Sequence, residues 1–125
     1  MEFQIIKTVP IFKVGTHNGI KFKEGHLQEM VESFLSLKQE NPDFKIPIKL
    51  GHDKDGKAEK PAIGWMENLK LHDGFIFADF TDISEEMLEM LRKKSFKNRS
   101  IEVIRKFVNS KGKMIGSVIK GIALL

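Results

Sequence analysis

Apolar and polar positions change period several times along this chain. Residues 2–9 (EFQIIKTV) read as a strand, and Ile11–Val14 with Ile20–Phe22 read as a hairpin around GTHNG. Asn18-Gly19 marks the tight turn of that hairpin, because both residues tolerate a positive φ. From 24 to 40 the period becomes helical: Leu27, Met30, Val31, Phe34, Leu35 and Leu37 follow the spacing of one apolar face. Asn41-Pro42-Asp43 stops the helix.

A short β run follows at Ile46–Leu50, which Pro47 marks as an edge strand or a strand start. The polar loop GHDKDGKAEKP occupies 51–61. Residues 62–71 and 75–80 predict a second hairpin, turned at His72-Asp73-Gly74. Asp82 reads as a helix N-cap, with Glu85 three residues on completing a capping box. The helix 83–94 then buries Ile83, Met87, Leu88 and Leu91. Two further strands, 99–108 and 114–125, are joined by a turn at Asn109–Lys113. The order β-β-β-α-β-β-β-α-β-β, with tight turns between consecutive strands, implies antiparallel pairing. The expected fold class is α+β: a mostly antiparallel sheet closing toward a β-barrel, with two helices over 24–40 and 83–94.

Composition narrows the chemistry more than the fold. At 125 residues, a single domain over 1–125 is expected. No apolar run reaches the roughly 18–20 residues of a membrane span, and MEFQIIKTVPIFK lacks the pattern of a signal peptide, so a cytoplasmic protein without a membrane partner is expected. The chain has no cysteine, which excludes disulfides, a thiolate nucleophile and sulfur-ligated zinc. Its net charge of +4 comes from basic residues interleaved with acids. The ten phenylalanines lie in apolar runs, so nucleic acid is not the expected partner.

The candidate chemistry lies in a few positions. Of four histidines, His17 and His72 sit in turns and His26 on an early helical turn, where solvated roles suffice. His52 follows a strand directly, after Gly51, and opens the long polar loop. In that loop Asp53 and Asp55 resemble the start of an EF-hand, but Gly56 comes two places early and Lys57 stands where a carboxylate belongs, so no metal or cofactor is expected. Among seven serines, Ser100 opens the strand SIEVIRKFV. Period-two alternation puts Ser100 and Glu102 on one face of it. A serine and a carboxylate on one face, with a histidine elsewhere, are the materials of nucleophilic catalysis; a serine that merely opens a strand is the plainer reading.

Taken in order, PIKLGHD (47–53), PAIGWMENLKLHDGFIFADFTDI (61–83), FKNRSIEV (96–103) and VIKGIALL (118–125) resemble the head maturation (prohead) proteases of tailed phages, in the Mu-type group that combines protease and scaffold functions. The resemblance covers residues 8–125. This family is related in fold to the herpesvirus maturational proteases, whose core is a closed antiparallel barrel with surrounding helices. The resemblance implies a serine endopeptidase that cleaves scaffold and capsid proteins inside the procapsid, or in the host cytoplasm before it. His52 takes the place of the general base and Ser100 that of the nucleophile. Capsid and scaffold proteins are the implied partners, and self-association is left open. The alternative is a non-catalytic assembly or scaffold domain of the same fold.

Two departures from the family stand out. Many relatives carry a glutamate in the terminal strand that can orient the histidine; here that position is Gly121. Glu102 is the candidate substitute, or else it forms a structural ion pair with a nearby lysine or arginine, or the site is a Ser-His dyad with no third member; the sequence leaves all three open. The family's GIALL stretch also runs on into a Pro-containing loop and a scaffold-like extension, so 1–125 is expected to be the protease-like domain without it. Gly64 is expected to permit close backbone approach, and Trp65 to cap one end of the barrel.

Overall fold

The computed structural model describes residues 3–50, 62–92 and 99–124. The elements run β1 (Phe3–Lys13), β2 (Gly15–His17), β3 (Ile20–Phe22), α1 (Glu24–Glu40), β4 (Ile46–Leu50), β5 (Gly64–His72), β6 (Phe75–Ser84), α2 (Glu85–Arg92), β7 (Arg99–Val108) and β8 (Met114–Leu124). Their order is the expected one. The first strand, however, runs unbroken through Lys13, and the hairpin around Asn18-Gly19 is its own small β2–β3 ribbon. Both turn residues take positive φ, 52° and 79°, as do Asp73 and Gly74 at 50° and 78°. This is the left-handed pair that matches the twist of a two-residue hairpin.

Helix α1 spans the predicted residues. Its start is closed by His26, whose Nδ1 accepts the Lys23 N–H at 2.8 Å, a histidine in the place a glutamate holds in a capping box. Leu27, Met30, Val31, Phe34 and Leu37 turn inward, whereas Leu35, expected inside, is 56% exposed. Leu35 stands at the margin of the stripe, and the buried Ser33 occupies the side that packs. The start of α2 also differs from expectation. Asp82 is not its cap: it has φ 55° and pairs with Lys45 at 3.2 Å, while Ser84 Oγ accepts the Met87 N–H at 3.2 Å. Strand β6 therefore runs four residues further, to Ser84, and the helix starts two residues later, at Glu85.

Six strands form one sheet in the order β1-β6-β5-β4-β8-β7. All neighbours are antiparallel except β4 and β8, which run parallel. Strand β4 is thus central rather than at an edge, and Pro47 is accommodated near its beginning, opposite Trp65. The edges are β1 and β7, and the edge position of β1 accepts Pro10 mid-strand. The two come within 8 Å of each other between Cα atoms. Among the described residues no ladder joins them.

One face of the sheet and the inner face of α1 enclose the core, with Ile46, Ile48, Met66, Phe80, Ile119 and Ile122 fully buried. Glu29 of α1 fastens the helix to β8. Its carboxylate accepts the Ser117 N–H at 3.3 Å and fills the space over Gly116, whose φ is +107°. On the other half of the sheet, bulges in β1 and β5 flank β6. Thr8 and Asn68, both at positive φ, are held there by Asp79, which accepts the Thr8 N–H and the Asn68 amide, each at 2.9 Å. Gly64 does permit close approach: a β-carbon there would run into Ile83 Cδ1 and stand 3.1 Å from the Thr81 carbonyl. Trp65 is only half-buried, with the Lys45 ammonium 5.6 Å from its ring centroid.

Candidate functional site

Strands β4, β8 and β7 lie side by side, and their registers align the candidate residues. Lys49 and Ser100 are both in register with Ala123, from opposite sides of β8. Glu102 is in register with Gly121, two residues along. Residues opposite one another in a ladder share a face, as do residues two apart on one strand. Lys49, Ser100 and Glu102 therefore share one face of the sheet, with Ala123 and Gly121 as a floor of small residues between them. Neighbouring strands lie about 4.8 Å apart, so the Lys49 and Ser100 backbones are separated by about 10 Å across that floor.

The Lys49 ammonium reaches over the floor to Glu102, Nζ to Oε1 at 2.9 Å. Both side chains are nearly enclosed, at 4% and 11% exposed. Gly121 makes the pair possible: a β-carbon there would stand 2.6 Å from Glu102 Oε1 and 3.3 Å from Lys49 Cε. The Glu102 carboxylate thus occupies the space into which a side chain at 121 would project. An ion pair this enclosed is worth far more when whole than when either end is removed, because the survivor is a buried charge. Lys49 carried no signal in the sequence. In IPIKL it reads as the outward position of a strand, and only its placement between two neighbours buries it.

Ser100 is half-buried and contributes to the wall of a cleft of about 840 Å³ between the two edge strands. One wall is Pro10–Lys13 of β1, and the other is Ser100, Ile101, Val103 and Arg105 of β7. The β2–β3 ribbon closes one side with His17 and Phe22. His17 Nε2 donates to the Lys13 carbonyl at 2.8 Å, and its ring lies 4.4 Å from Phe12, centroid to centroid. His17 thus has a structural role at the cleft in addition to the solvated one read from its turn.

No family model, curated protein or solved structure matches this chain. Its chemistry must be read from its own residues. His52, with Asp53, Asp55, Gly56 and Lys57, lies outside the described residues. Among the described residues no cluster of three or more His, Asp or Glu side chains is placed to hold a metal ion. No described helix is long and apolar enough to cross a membrane.

Proposed function

We propose that this chain is a serine endopeptidase of the prohead maturation kind, with Ser100 as nucleophile and His52 as general base. The observation that carries this reading is the three-strand register. Strand β4 ends at Leu50, in register with Leu124, and the neighbouring residue Ala123 is in register with Ser100. His52 follows Leu50 by two residues, and two residues span at most about 7 Å. The chain therefore leaves β4 for His52 at the same end of the sheet from which Ser100 enters β7, beside an open cleft. In this mechanism His52 takes the Ser100 hydroxyl proton as the oxygen attacks a peptide carbonyl, then gives it to the leaving amine. Water, deprotonated by His52, resolves the acyl-enzyme.

Glu102 supplies the negative charge of this site. Its carboxylate stands over Gly121, the position at which related proteases carry their orienting glutamate, and Lys49 fixes it there. On this reading it steadies the imidazolium of His52. Scaffold and capsid proteins of a phage procapsid are the proposed substrates, and the procapsid interior the proposed place of action. The approach of β1 to β7 supports a sheet that curls toward a barrel with these two strands as its seam.

A fluorophosphonate probe tests the assignment. Labelling should fall on Ser100 and vanish in Ser100→Ala and His52→Ala, while both variants keep a cooperative melting transition. Labelling that survives either substitution would sink the nucleophile–base pair. A folded parent that never labels would favour the assembly domain instead.

A further inference from the structure

We propose that the cleft between β1 and β7 binds an alkyl-chain carboxylate, its chain laid over the apolar lining and its head group held by Lys13 and Arg105. This inference does not depend on the peptidase reading. The two edge strands come within 8 Å of each other between Cα atoms, whereas a strand set between them would need about 4.8 Å on each side. A peptide backbone therefore does not fit between the edges. An alkyl chain has no hydrogen bonds to satisfy and needs only an apolar trough above them. Ile101 and Val103 pack against the core and form the floor of that trough, with Phe12 and Phe22, edge to face at 5.1 Å, beside them. Along β7 the trough extends about 17 Å, from Ser100 to Arg105. Its volume of 840 Å³ falls within the usual range of ligand sites, about 300–1,000 Å³.

Two features fix the chemistry of the ligand. The first is apolar surface left in water: Ile20 and Phe75 are 40% and 39% exposed, and both line the cleft. The second is charge. Four antiparallel ladders and one parallel ladder separate β1 from β7, so the two strands run in the same direction. Pro10–Lys13 and Ser100–Arg105 therefore ascend the cleft together, with Lys13 and Arg105 at one end and Ser100 toward the other. Among the described residues neither cation is in an ion pair, and no carboxylate lines the cleft. An apolar trough with two unmatched cations at one end complements a molecule with an apolar body and a single anionic end. Arg105 offers a carboxylate a planar, two-pronged donor, and Lys13 adds a point charge. An uncharged chain forgoes these bonds, and a cationic one is repelled.

The test uses the full chain and the fluorescent carboxylate dansyl-undecanoate, kept below the concentration at which it forms micelles. Its emission should rise and saturate at one probe per chain, and dodecanoate should displace it. Dodecanol and dodecyltrimethylammonium should compete about tenfold more weakly or worse, the cost of losing a charge-assisted hydrogen bond. Lys13→Gln with Arg105→Gln, both exposed side chains, should erase the preference for dodecanoate over dodecanol and leave the melting curve in place. Ile20→Ser with Phe75→Ser should weaken the acid and the alcohol alike. The proposal is overturned by an absence of saturable binding, or by displacement as ready with the cationic amphiphile as with dodecanoate. A preference that survives the loss of both cations, or binding undiminished by the two serines, would overturn it too. So would emission that rises only when phospholipid vesicles are added, because the ligand would then be a membrane surface.

Discussion

Replacing Lys49 by methionine keeps its length and removes only its charge. In the folded protein this takes from the Glu102 carboxylate, 11% exposed, the cation that stands 2.9 Å away. Losing one end of a fully buried pair costs about 3–5 kcal/mol, and the residual exposure of Glu102 places this case near 3. An unfolding entropy near 2.1 cal/mol/K per residue gives about 0.26 kcal/mol/K for a chain of this length, hence a fall in melting temperature of about 11 °C. Glu102→Leu should be costly in the same way. The double variant Lys49→Met/Glu102→Leu should recover most of the loss, because an apolar pair of similar volume removes both desolvation penalties. Urea denaturation of the four proteins at constant m-value reads the coupling directly. A single variant that melts within about 2 °C of the parent, or a double variant whose loss is the sum of the singles, would refute the claim that the two charges are enclosed and dependent on each other.

Three other outcomes follow from the geometry. Gly64→Ala forces a β-carbon into Ile83 Cδ1 and should cost about 1–3 kcal/mol by chemical denaturation. Trp65→Ala should cost about 1–2 kcal/mol, less than the 3–5 of a fully buried ring, since Trp65 is half-buried; a loss of 4 or more would contradict its exposure. Asp79 is held below the ordinary carboxyl range, first by the Thr8 N–H and then by the Asn68 amide. With a folded pKa below the unfolded one, its contribution is complete above the unfolded value and disappears as pH falls through the folded one. Asp79→Ala should therefore melt lower than the parent at pH 7, by about 1 kcal/mol for a largely solvated acceptor, and the two melting curves should converge as acidification carries the parent through the lowered folded pKa.

What the sequence disclosed, it disclosed through local signals. Asn18-Gly19 and Asp73-Gly74 need left-handed backbone and occur in turns that have it. Helix α1 has its period within its own span and its stop signal directly after it, at Asn41-Pro42-Asp43. Asp82 and Ser84 compete as caps two residues apart, and only the extension of β6 through its pairing with β1, Phe3 opposite Ser84, decides for the serine. The central position of β4 was illegible because its partner β8 is remote: Ile48 is in register with Ile122. The burial of Lys49 was hidden for the same reason, and with it the partner of Glu102. Ser100 and Glu102 could be placed on one face from alternation alone, but the floor of Gly121 and Ala123 beneath them is a product of tertiary pairing.

That remote pairing also sets a time for the site. Among the described residues β8 is the last strand, and it is the element that joins β4 to β7. Until it docks, Lys49 belongs to the β1-β6-β5-β4 part of the sheet and Glu102 to β7, and no register relates Ser100 to the strand that leads to His52. Docking a parallel strand from so far along the chain is slow compared with closing a hairpin, since the loop entropy comes before any contact rewards it. A nascent chain lacking β8 holds the residues of the site but not the site. On the proposed peptidase reading, this ordering keeps the chain inert toward itself and its neighbours while it is being made.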